Sequence, residues 1–156
     1  MKLFKKLLTN NIVAISSGGG HLTEMIDAIP ESMKSKVNYV TFKNGRTLES
    51  LKNKKHYFII DPHVSKVKYL LNGLQASLLY VRLRPLFIIS TGAGIAIPLM
   101  LIGKLFGSKI IYIESGARVY SASKTGAFMY KYSNLFIVQY PTMLKRYPNA
   151  TFACLV

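Results

Sequence analysis

The chain alternates between two hydrophobic periods. Short apolar runs fall at 12–16, 37–42, 57–60, 86–90, 109–113 and 135–139, and several of them, such as "IVAIS", "LFIIS" and "KIIYI", are apolar throughout. Strands covered on both faces read this way, whereas a sheet with one wet face alternates. Between the runs lie segments long enough for helices, near 22–29, 66–82, 94–106 and 123–132. Strand and helix in turn predict an α/β domain, a Rossmann-like parallel sheet with helices on both faces. No repeat, low-complexity tract or linker interrupts 11–156, which reads as one domain long enough to bury its own core.

Two segments carry competing patterns. Between Arg84 and Lys104 no charged residue occurs, and a span of about 20 apolar residues is what a bilayer requires. "STGAG" and Pro98 break that span, so a strand, a glycine turn and a buried helix are expected there instead. Segment 66–82 has two apolar stripes at helical spacing. Val67, Leu70, Leu71, Leu74, Leu78 and Val81 form the richer one, which the sheet is expected to bury. Tyr69, Ala76, Tyr80 and Leu83, with Lys66, Lys68, Arg82 and Arg84 at the ends, form a second, expected to face an anionic membrane surface, the alternative being packing against another helix or a partner chain.

Charge adds a constraint on partners. Lys plus Arg number 21 against six acids, a formal net charge of +15. After Asp61 the only acid is Glu114. So one-sided a field implies an anionic partner. Nucleic acid is the competing class, but the basic residues are scattered among amphipathic segments, not gathered on a recognition helix or aromatic strand motif, so no nucleic-acid partner is expected. The lone Cys154 leaves no internal disulfide. The N-terminal "MKLFKKLLTN" (1–10) starts basic but lacks a signal peptide's continuous apolar region, and it reads either as a short interfacial helix or as a frayed basic tail.

Candidate chemistry sits where apolar runs end. "SSGGGH" follows the first strand and opens a helix, an arrangement that leaves backbone N–H groups free for an anion. It is neither the dinucleotide fingerprint nor a phosphate-binding Walker loop, and no His/Asp/Glu spacing suggests a metal; no cofactor or metal is expected. "STGAG" repeats the device after another strand, and "YIESGARV" brings Glu114 out of a third. Three strand ends converging on one crevice is the pattern of a site. From spacing alone, Glu114 is equally a site acid or an ion-pair partner of Arg118. His21 is suited to accept a proton near neutral pH, and a histidine in a first helical turn also serves as a capping or packing residue.

Taken in order and at these separations, "GGGHLTEM", "STGAGIAIPLMLIGKLFGSKIIYIESGARV" and "LFIVQYPTMLKRYPNA" resemble the family of asparagine-linked glycosylation protein fourteen. That family includes bacterial capsular and exopolysaccharide accessory subunits of the CpsF and PssD type. The resemblance runs from Asn11 onward. It implies one half of a split glycosyltransferase of the GT-B fold, equivalent to its N-terminal, acceptor-side domain. A separate chain would supply the nucleotide-sugar domain, and a lipid-diphosphate-linked saccharide would be the acceptor. Carried over residue by residue, His21 and Glu114 are implied as catalytic, and Ser17, Gly18, Gly19, Gly20, Thr91, Gly92, Gly94, Ser115 and Arg118 as substrate-binding. "STGAG" departs from the Asn-Gly-Pro-Gly type turn of many relatives. The N-terminal membrane span of eukaryotic relatives is a further departure, one that bears on the mode of anchoring; peripheral attachment at the cytoplasmic face is expected from the second stripe of 66–84 together with the basic segment 1–10.

Overall fold

The computed structural model describes residues 11–63 and 65–154. The basic segment 1–10, read above as interfacial or frayed, lies outside them. Seven strands form one sheet: β1 (Ile12–Ser16), β2 (Val37–Thr41), β3 (His56–Phe58), β4 (Phe87–Gly92), β5 (Lys109–Ile113), β6 (Leu135–Val138) and β7 (Thr151–Phe152). Their order is β3-β2-β1-β4-β5-β6-β7, and every pairing is parallel. The chain therefore builds outward from β1 to one edge, then returns to the other side of β1 and builds to the opposite edge. Where the order reverses, between β1 and β4, successive connections leave in opposite directions and open a crevice at the carboxyl ends of the strands.

Alternate side chains of β1 feed two separate cores. Val13 and Ile15 join Val40, Ile88, Ile110 and Tyr112 on one face, closed by Leu79 and Leu83 of α4 (Lys66–Leu83) and by Leu99 and Met100 of α5 (Ile97–Leu105). Ile12 and Ala14 join Val37 and Tyr39 on the other, closed by Leu22 and Met25 of α1 (Gly20–Ala28) and by Leu51. Burial on both sides is why these strands lack polar alternation. Four elements were not expected: the short helices α2 (Glu31–Lys34) and α3 (Gly45–Ser50), the 3-10 turn Pro141–Lys145, and the two-residue strand β7. Each is too short to show a hydrophobic period. α3 is nevertheless well specified, since Asn44 and Thr47 cap it reciprocally, side chain to backbone, at 2.8 and 2.9 Å. The expected helix at 123–132 is the six-residue α6 (Lys124–Met129).

The uncharged stretch before Lys104 is β4, a 3-10 turn at Gly94–Ala96, and α5. Among the described residues no helix is long and apolar enough to cross a membrane.

Helix α4 corrects the expectation for its two stripes. The side chains it buries are Asn72, Ala76, Leu79 and Leu83, whereas Val67, Leu70, Leu74, Leu78 and Val81 are 56–73% exposed. The richer stripe faces outward. Two amides fix this rotation: Asn72 Nδ2 donates to Ile60 O at 2.7 Å, and Gln75 Oε1 accepts from Ile60 N at 2.7 Å. They satisfy both backbone groups of a residue just beyond β3, which in a dry setting would be costly to leave unpaired. Ala76, one position on, presents no bulk to hold the helix away from the sheet.

Candidate functional site

The loop after β1 is held open for contact. Gly19 adopts φ 73° as the residue preceding α1, a left-handed conformation that glycine takes without a Cβ clash. No side chain caps this helix start, and the first backbone bonds across it run from Leu22 and Thr23 N–H to Gly19 O. The N–H groups ahead of Leu22 thus sit in an uncapped first turn, a ready seat for an anion. Ser17 and Gly18 are partly buried and Gly20 is exposed. Gly18 lies against Thr47 and Phe42, which ties this loop to the start of α3.

Beside the loop lies a crevice of about 590 Å³, bounded by Gly20, Glu24 and Asp27 of α1, by Ser115 and Gly116 after β5, and by Gln139 after β6. The first and third of the expected strand ends therefore meet. The second supports them from behind. Thr91 is fully buried and its hydroxyl donates to His21 O at 2.7 Å, so it straps α1 to β4 and is not available to a ligand. Gly92, at φ 116°, spends its N–H on Ser90 Oγ at 3.0 Å; a Cβ there would stand 2.9 Å from Tyr112 Oη and 3.7 Å from His21 Cε1. Its bare backbone makes room for the Tyr112 hydroxyl, with the His21 ring in ordinary contact alongside. Gly94 accepts a hydrogen bond from Tyr69 Oη at 3.4 Å and so borders α4, not the crevice. A groove of about 710 Å³ between α4 and α5, lined chiefly by apolar side chains such as Leu70, Leu74, Ile97 and Leu101, runs along this side.

His21 keeps about a third of its side chain exposed, while its Nδ1 is buried without a hydrogen-bond partner, 3.9 Å from Glu24 Oε2. Glu114 is only 1% exposed. Its carboxylate accepts from Ser115 N and Ser123 N at 3.2 Å and from Tyr147 Oη at 2.9 Å. The geometry favours a structural role for this acid over a catalytic one: it is turned inward and pins the 115–123 segment to the start of α6. Nor is it the ion-pair partner of Arg118. Among the described residues the carboxylates near a basic side chain are Glu24, 3.9 Å from the His21 ring, and Glu31, beside Lys34, and Arg118 is exposed on a turn closed by its N–H to Ser115 O. Burial, reinforced by the hydrogen bond to Glu114, pushes the Tyr147 phenol well above its ordinary pKa, and burial does the same to Tyr112. Among the described residues no group of three His, Cys, Asp or Glu is placed to hold a metal.

Sequence reasoning passed over Glu24, Gly116 and Gln139. Glu24 carried a signal, since "HLTE" puts it one helical turn after His21. Gln139 carried none: only the topology brings the end of β6 next to α1.

Comparison with known proteins follows from this geometry. Residues 59–156 match the family model described as "Oligosaccharide biosynthesis protein Alg14 like". The chain belongs to the Alg14-like family. The rat UDP-N-acetylglucosamine transferase subunit ALG14 is 34% identical over 77 residues, covering 46% of this chain and 36% of its own length. With the human ALG14 subunit the likeness is 25% over 175 residues, covering 91% of this chain and 81% of the relative. Against the rat relative, then, this Alg14-like chain matches about a third of the full length. In fold it is similar to Acinetobacter baumannii MurG, with a TM-score of 0.71 at 17% identity over 85% of this chain and 42% of MurG. The Alg14-like sheet is thus the Rossmann-like unit of a GT-B architecture.

Proposed function

We propose that this chain is the acceptor-side subunit of a two-chain glycosyltransferase that moves a sugar from a nucleotide sugar to a lipid-diphosphate-linked saccharide. It is of the kind that serves bacterial capsule and exopolysaccharide synthesis (the CpsF and PssD type). The observation that carries this is the uncapped start of α1, with His21 in its first turn, opening at the switch point between β1 and β4. An anion at the helix N-terminus and a proton acceptor beside it are what an attack by a phosphate-bearing alcohol needs. The relatives' printed name, a UDP-N-acetylglucosamine transferase subunit, supports N-acetylglucosamine as the sugar and a nucleotide-sugar subunit as the partner.

Peripheral attachment to an anionic membrane at the cytoplasmic face belongs to the same reading, on a surface different from the one expected. The outward face of α4 and the exposed Leu105 and Phe106 at the end of α5 present apolar area to solvent, with Lys66, Lys68, Arg82 and Arg84 at the ends of α4. Each large apolar side chain taken out of water is worth about 1.5–3 kcal/mol, and each basic residue near anionic lipid about 1 kcal/mol.

The test is transfer to a lipid-linked acceptor by the chain reconstituted with its nucleotide-sugar subunit. His21→Ala should lower kcat by about a hundredfold or more with partner binding intact. Wild-type turnover in His21→Ala would leave this chain an anchoring subunit with the base elsewhere.

A further inference from the structure

Glu24 has a geometry the proposed reaction leaves unused. Its side chain is 12% exposed at the wall of the crevice, one helical turn after His21. Two donors from distant elements hold its Oε1: the Gly116 N–H, from the segment after β5, and Gln139 Nε2, from the end of β6. Gln139 Nε2 also donates to Glu114 O at 3.0 Å, so the amide is itself fixed. The other oxygen, Oε2, points to the buried and unpartnered Nδ1 of His21, 3.9 Å away. A buried imidazole nitrogen with no partner is costly, and the nearby carboxylate oxygen is the acceptor it lacks.

We propose that Glu24 is the positioning residue of His21. Its carboxylate accepts the Nδ1 proton, fixes that tautomer, and leaves the Nε2 lone pair to act as base. This rests on the reading of His21 as the proton acceptor. In the reaction the acceptor's hydroxyl proton passes to Nε2, and its oxygen forms the new bond to the anomeric carbon. The bond from that carbon to the nucleotide diphosphate breaks, and the electron pair leaves with the diphosphate. The imidazolium so formed is stabilised by the Glu24 carboxylate.

The decisive measurement is the nitrogen NMR spectrum of the histidine rings in the folded chain, at a pH where the imidazoles are neutral, with His21→Ala used to assign the signal. The wild type should show His21 protonated on Nδ1, and Glu24→Gln should move the proton to Nε2. A wild-type ring protonated on Nε2 overturns the proposal, whatever the transferase assay gives. In the reconstituted enzyme, Glu24→Gln should lower kcat by on the order of a hundredfold with acceptor KM little changed, and Glu24→Asp should recover part of it. Equal losses in both variants, with the wild-type tautomer retained in Glu24→Gln, would reduce Glu24 to a strut for Gly116 and Gln139 and likewise overturn the idea.

Discussion

Glu114 is a buried carboxylate held by three donors with no cation in contact among the described residues, which makes it a fastener for the segment that frames the crevice. Removing its charge leaves donors facing an amide that cannot accept from all of them, so Glu114→Gln should lower stability by about 1–3 kcal/mol. Turnover per folded enzyme should fall far less than in His21→Ala. Denaturant titration beside single-turnover kinetics separates the two effects. Tyr147 makes the same point through pH. Its phenol keeps the proton to higher pH in the folded state than in the unfolded chain, where loss is centred near 10. Above about pH 10 the folded form binds more protons than the unfolded, so stability falls as pH rises, and the contribution is complete below that point. Tyr147→Phe should flatten this alkaline slope relative to wild type and lower stability at pH 7 by about 1–2 kcal/mol. Parallel slopes in the two proteins would show that the phenol is not the group responsible. Neither role was legible in the sequence, because Tyr147 reaches Glu114 from 33 positions away.

At the scale of elements, α4 shows how existence and orientation are decided separately. The run of helix-spaced apolar residues forecast the helix, and Ser65 caps its start by accepting from Lys68 N. The buried face was decided by Asn72, Gln75 and Ala76, polar or small residues that weigh little in a hydrophobic pattern. Leu79→Ala should therefore cost about 2–4 kcal/mol, as for other buried leucines, and lower the melting temperature. Leu74→Asp with Leu78→Asp should alter stability by only about 0.5 kcal/mol per site, yet abolish flotation with anionic vesicles. If the double variant floats as well as wild type, the outer face of α4 is not the attachment surface.

For the whole molecule, the +15 charge and the single Rossmann-like sheet act together. A charge-assisted contact with lipid is screened by salt, with a Debye length of about 10 Å at 0.1 M and about 3 Å at 1 M. Flotation should weaken between those salt concentrations and on replacing anionic by zwitterionic lipid. Neutralising Lys66, Lys68, Arg82 and Arg84 together should weaken it in low salt. A GT-B cleft needs two such sheets, so purified chain given nucleotide sugar and lipid acceptor should show no transfer until a nucleotide-sugar subunit is added. Transfer by the chain alone would contradict the proposed division of labour.

What the sequence by itself determined is the sheet and where its loops lie. Strands buried on both faces must be apolar throughout, and glycines must stand where the backbone turns from strand into helix, so composition along the chain records both. Tertiary structure alone decided which side chains face which way. Thr91 and His21 lie 70 positions apart and Gln139 and Glu24 lie 115 apart, yet each pair shares a hydrogen bond. Local spacing cannot encode such contacts. They follow from the strand order β1-β4-β5-β6, which sets loops side by side that the chain keeps far apart, turns Glu114 into the core and brings Glu24 to the crevice wall beside His21.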